Sequence, residues 1–113
     1  MAGMNCVLLF SEEVGISGVV TSEPIDISKA NALAIHHNET AGTGTITYTY
    51  SLSPSRAGTY IIPTSPVTIG ADVTADDILD FAPEAAKFIK IIATESGGSA
   101  AVTVTSTLVI QEL

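Results

Sequence analysis

The chain has 113 residues, 46% of them apolar and only 14% charged, with 12 acids against four cations and a formal net charge of -8. That length supports one domain with one core, residues 1–113, and the apolar content excludes a disordered chain. So acidic a chain has no basic footprint for a phosphate backbone, and no run approaches the ~20 apolar residues of a spanning helix, so neither nucleic acid nor membrane is an expected partner. The surface must be covered largely by Thr, Ser, Ala and Gly, a composition suited to contact. The single cysteine, Cys6, cannot close an internal disulfide, and Met1-Ala2-Gly3-Met4-Asn5-Cys6 lacks the positive charge of a secretory leader. Synthesis inside a cell is the expectation.

In chain order, Val7–Phe10 predicts a short strand ended by Glu12-Glu13. The segment from Gly18 to Ile27 is extended by composition, and Pro24 within it confines it to a sheet edge or breaks it in two. A strand follows at Ala32–His37, with Asn38-Glu39-Thr40-Ala41-Gly42 as its turn and the next strand as its partner. That next strand places Ile46, Tyr48, Tyr50 and Leu52 on one face and Thr45, Thr47, Thr49 and Ser51 on the other. Tyr48 and Tyr50 therefore belong to the core, with their hydroxyls expected at its margin. Pro54-Ser55-Arg56-Ala57-Gly58 reads as a loop, and Thr59–Ile62 and Val67–Ile69 as short extended pieces. The only helical signal is Thr74–Phe81, where Thr74 would cap and Asp76 and Asp77 would sit near the positive end of the dipole, with Pro83 as the stop.

The last quarter is the most regular. Phe88–Glu95 and Ala100–Ile110, joined by Ser96-Gly97-Gly98-Ser99, read as an antiparallel hairpin. In its second strand Val102, Val104, Ser106, Leu108 and Ile110 share one face, and Thr103, Thr105, Thr107 and Val109 the other. Many short strands, one short helical turn and no alternation with long helices define an all-β, antiparallel β-sandwich.

Candidate sites resolve into structural readings. His36 and His37 are adjacent on a strand and point to opposite faces, so they do not share a metal ion. Asp72, Asp76, Asp77 and Asp80 lack the spacing and central glycine of a calcium loop and read as helix-terminal and loop charges. Gly15-Ile16-Ser17-Gly18 is not a nucleophile elbow, and Gly42-Thr43-Gly44 lacks the lysine of a phosphate loop. Tyr60 is the one aromatic expected at the surface, the side chain on which a carbohydrate-binding sandwich would depend. The Thr ladders 45, 47, 49 and 103, 105, 107 are either solvated faces or flat contact surfaces. No catalytic residue, cofactor or metal site is expected, and the chain reads as a non-enzyme.

The runs Thr43-Gly44-Thr45-Ile46-Thr47-Tyr48-Thr49-Tyr50-Ser51-Leu52-Ser53 and Phe81-Ala82-Pro83-Glu84-Ala85-Ala86-Lys87-Phe88-Ile89-Lys90-Ile91, then Thr94-Glu95 and the closing Leu108-Val109-Ile110-Gln111, resemble small structural proteins of tailed bacteriophages. The resemblance covers residues 31–111 and is one of pattern. It implies that the sandwich is jelly-roll-like and that the chain is a capsid decoration, or cement, protein on the outer surface of a virion, made in the host cytoplasm. It also implies a homo-oligomer, with a trimer favoured, bound to a major capsid protein. The long N-terminal arm that would anchor such a protein is missing from the pattern. The segment Ala86-Lys87-Phe88-Ile89-Lys90-Ile91 also resembles a strand of galactose-binding-like sandwiches, which implies a carbohydrate-binding module as the alternative.

Overall fold

Alternating apolar and hydroxyl-bearing residues set a series of strands in the computed structural model, which describes residues 3–113; Met1 and Ala2, the start of the segment read for a leader, lie outside them. The strands are β1 (Met4–Val14), β2 (Val19–Thr21), β3 (Ile25–Asp26), β4 (Ala30–Gly42), β5 (Ile46–Ser53), β6 (Gly70–Val73), β7 (Asp77–Phe81), β8 (Phe88–Glu95) and β9 (Val102–Glu112). All pair antiparallel in two sheets, the first in the order β1-β9-β4-β7 and the second β2-β8-β5-β6, with β3 following β2 along the same edge of β8.

With β2 and β3 taken as one strand interrupted at Pro24, eight strands remain and their pairings nest. The first pairs with the last (β1 and β9), the second with the seventh (β2/β3 and β8), the third with the sixth (β4 and β7), and the fourth with the fifth (β5 and β6). A ribbon paired in this way and wound into two sheets is a jelly roll, so the expected all-β sandwich is what forms. Its core is the space between the sheets. Ile35, Val102, Val104 and Leu108 line it from the first sheet, and Ile46, Tyr48, Tyr50, Ile89, Ile91 and Ala93 from the second. The face assignment of β9 holds along its whole length, as do the positions of Ile46, Tyr48 and Tyr50.

Several local expectations are corrected. Residues 88–110 are not a hairpin: β8 and β9 lie in different sheets, and the Gly-Gly segment carries the chain from one to the other. Alternation marks which face of a strand is buried but not which strand lies beside it, and nesting sends β9 to the centre of the first sheet. For the same reason β4 does not pair with β5. Asn38–Gly42 is no turn but the end of β4, which stays paired to β9 through a register shift between Glu39 and Ala41. Glu12-Glu13 does not end β1, whose pairing to β9 runs on to Val14. Residues 67–69 are not a strand, and of 59–62 only Ile61 pairs, in a single bridge to Leu52. Thr74–Phe81 is not helical: residues 77–81 form β7, because pairing to β4 with Leu79 and Phe81 turned inward outweighs a local capping signal.

Three of the crossovers between sheets meet at one end of the sandwich, around Glu95. This residue is 2% exposed, and its carboxylate accepts hydrogen bonds from the backbone N–H groups of Ser17 (3.1 Å), Thr45 (3.1 Å), Gly97 (2.8 Å) and Gly98 (2.9 Å). One side chain thus ties the β1–β2, β4–β5 and β8–β9 connections together. The Ser17 N–H contributes most to holding the Glu95 pKa down to about 2 from an ordinary 4.5; burial opposes this, and the other three N–H groups add to it. The proton is therefore disfavoured in the folded state. Stability from this clasp is complete above pH 4.5 and is lost as pH falls towards about 2. Glu95→Gln should melt below the parent at neutral pH, and the gap between their melting temperatures should close on acidification through that window. A gap of constant size would show that the carboxylate charge is not what the loops bind.

Candidate interaction surface

The outer face of the first sheet is built from the second phase of four strands, and the register sets it out as cross-strand rows. Leu8, Thr107, His36 and Ile78 form one row from edge to edge, and Cys6, Val109, Ala34 and Asp80 the row beside it. Ser11, Thr105 and Asn38 lie on one side of these, Met4, Gln111 and Ala32 on the other. Met4, Leu8 and Ile78 are 68%, 62% and 59% exposed, and Cys6 is a free, exposed thiol. The charged members of the rows are Glu13, at one end of β1, and Asp80, on β7. A broad face of apolar, hydroxyl and amide groups, with acids only at its periphery, has the chemistry of a contact surface.

Beneath that face the core holds a polar chain. His37, 1% exposed, lies 3.3 Å through Nε2 from Glu39 Oε1 and 2.6 Å through Nδ1 from the Tyr48 hydroxyl, which in turn meets Ser106 Oγ. An ionised Glu39 only accepts, so in the neutral ring Nε2 carries the hydrogen and Nδ1 accepts from Tyr48, leaving the phenol oxygen to accept from Ser106. The Tyr48 and His37 rings also meet edge to face, 5.5 Å between centroids. Burial above all, with the Glu39 charge adding, pushes the Tyr48 pKa up to about 12 despite the Ser106 hydrogen bond, so the phenol stays protonated. Among the described residues every buried side-chain polar atom has a partner. The Tyr48 hydroxyl is thus at the centre of the core rather than at its margin, whereas that of Tyr50 lies nearer the rim, donating to Glu84 Oε1 (2.6 Å) and accepting from Val67 N–H (2.7 Å).

The other residues singled out by sequence are dispersed. His36 stands on the outer face and His37 in the core, on opposite sides of β4. Asp72, Asp76 and Asp77 each accept a hydrogen bond of their own, from Ser96 Oγ, Glu39 N–H and Ile78 N–H. Gly15–Gly18 is the β1–β2 turn, closed by Gly18 N–H to Gly15 O (2.8 Å), with Ser17 at φ 54° and its N–H on Glu95. Gly42 and Gly44 lie against the Ala100-Ala101 backbone of the neighbouring crossover, where a side chain has no room. The two Thr ladders lie on the outer faces of different sheets. Tyr60 is half-buried, and the Lys90 ammonium sits 4.3 Å from its ring centroid, so one face of the expected sugar platform is already covered. Arg56 and Lys87 approach the Phe88 ring, so with Lys90 over Tyr60 three of the four cations stand over aromatic rings. At the end opposite Glu95, an open cleft of about 670 Å³ is lined by Ile27, Leu33, Phe81, Pro83 and Ala86, with Asn31 at its wall.

No protein-family model matches the chain, and no curated protein matches it in sequence. Among solved structures, it is similar to a chain in the structure of the infectious bursal disease virus Gx strain, with a TM-score of 0.58 and 15% identity. It is similar also to a chain in the crystal structure of the VP2 subviral particle of infectious bursal disease virus, with a TM-score of 0.56 and 16% identity. Each match covers 98% of this chain and 32% of the other, so the chain spans about a third of the length of these viral proteins. At such identities the likeness is one of fold. It places nearly the whole chain on a jelly roll that also occurs in virus particles.

The polar chain in the core yields a direct test. Tyr48→Phe keeps the ring but strands His37 Nδ1 and the Ser106 hydroxyl, and buried groups left unpaired cost about 1–3 kcal/mol. Ser106→Ala added to it should recover part of that loss, giving a favourable coupling in a double-mutant cycle read by urea unfolding. Strictly additive losses would mean that the hydroxyls do not depend on one another.

Proposed function

We infer that this chain is a non-catalytic structural protein of a virion, a decoration protein that seats on the outer surface of a capsid and reinforces it. The observation that carries the reading is the nested jelly-roll strand order spanning almost the whole chain, the fold it shares with proteins of virus particles. The broad, nearly uncharged outer face of the first sheet and the pattern shared with phage decoration proteins support it. In this reading the partners are further copies of the chain and a major capsid protein, and binding draws on β faces and loops more than on ion pairs. Neither a cofactor nor a metal takes part.

Mass spectrometry of density-purified particles from the virus that encodes the chain tests the reading. Its peptides should appear in the particle at a copy number comparable with that of the shell protein. Particles assembled without it should lose their nucleic acid at a lower temperature than complete ones. Particles that lack the chain, or whose heat resistance does not change on its deletion, overturn the reading.

A further inference from the structure

We propose that the outer face of the first sheet is a self-association surface, on which a second copy of this chain packs face to face across a two-fold axis running along the central strands. The row Leu8, Thr107, His36, Ile78 has a large, exposed apolar side chain at each end and small or polar groups between. Rotation by a half turn about an axis parallel to β9 and β4 carries β1 of one copy over β7 of the other. Leu8 of each copy then meets Ile78 of its mate, the reciprocal contact that an isologous interface requires.

Charge favours a second copy over another partner. Two chains of net charge -8 repel unless their acids are kept apart; the row Leu8, Thr107, His36, Ile78 carries none, and in the row beside it the one acid, Asp80, falls opposite Cys6 of the mate. Glu13 lies near one end of the strands on one edge and Asp80 towards the other end on the opposite edge, so the half turn brings neither onto its own counterpart. A basic partner would find no carboxylate in the middle of the face, and an acidic one no cation.

Size is sufficient as well. Two central strands covered over about eleven residues each and two edge strands over the five residues of β7, at ~3.3 Å per residue and ~4.8 Å between strands, define a contact of roughly 500 Å², or about 1,000 Å² over both copies, at the low end of specific interfaces. The edges offer poorer contacts. β1 is interrupted by a register shift between Leu8 and Phe10 and carries Glu12 and Glu13, and β7 has only five residues.

Sedimentation equilibrium on the purified chain, from about 1 to about 100 µM, tests the proposal. A reversible dimer is expected that persists at high salt, since its cohesion is apolar and salt screens only the repulsion between chains. Leu8→Glu and Ile78→Glu should each weaken it by about tenfold or more, while Val19→Glu and Ile61→Glu, at exposed apolar positions elsewhere, should leave it unchanged. The double variant Leu8→Lys with Ile78→Glu should restore the dimer, because the two-fold sets the new charges opposite each other. Cys6 in the adjacent row should react with a thiol reagent more slowly as protein concentration rises. A monomer throughout, or a dimer or trimer insensitive to Leu8→Glu and Ile78→Glu, overturns the proposal. These results do not depend on whether the chain occurs in a virion.

Discussion

Three sheet-to-sheet connections converge on the carboxylate of Glu95, and the double-layered form depends on that convergence. A jelly roll has to turn its paired ribbon over at each crossover, and each turn exposes backbone N–H groups that no strand can satisfy. One buried acceptor with two oxygens takes four of them, from Ser17, Thr45, Gly97 and Gly98. Backbone packs on backbone beside it: Gly44 N–H donates to Ala101 O, and Gly42 adopts φ 84° against the same crossover. The sheets can be held at their spacing because the turns joining them share one fixed anion, a use of charge that needs no cation in a chain that has few.

The parts of this fold legible in the sequence are those fixed by contact with the core. β9 is read correctly from Val102 to Ile110 because its period of two is unbroken, and the interruption at Pro24 follows from a missing N–H. Pairing was not legible, because an alternating strand carries the same pattern whichever neighbours it has. The glycines after Glu95 suggested a hairpin when their role was to let the chain change sheets. Residues 74–81 show the same limit in another form: Thr74 and the acids are good local helix signals, but Leu79 and Phe81 are needed over the core at the open edge of β4.

The polar core chain was half legible. Ser106 shares a face with Val102, Val104, Leu108 and Ile110, Tyr48 lies on the core phase of its strand, and His37 follows Leu33 and Ile35 at a spacing of two. What sequence could not supply was that these phases face each other across the sandwich, so that three groups, each costly to bury alone, satisfy one another. Glu95 left a fainter trace, an acid closing an apolar strand just before a Gly-Gly turn. A carboxylate in that place gathers N–H groups from a turn as readily as it meets solvent, and only the packing of the other two crossovers decides which.

Nesting also orders the way the molecule is assembled. The innermost pair, β5 and β6, closes a loop within one stretch of chain, whereas β1 and β9 join residues from opposite ends of the sequence, and most contacts are of the long-range kind. Entropy makes such pairs late and slow to form. Yet β9 occupies the middle of the first sheet, with β1 on one side and β4 on the other, so without it β1 has no partner in that sheet and only the β4–β7 pair is left. The outer face made of Leu8, Thr107, His36 and Ile78 therefore comes into being only when the two ends of the chain have met. A surface that exists only on the finished fold is not presented by a half-formed chain, which separates correct assembly from the edge pairing to which unfinished β-sheets are prone.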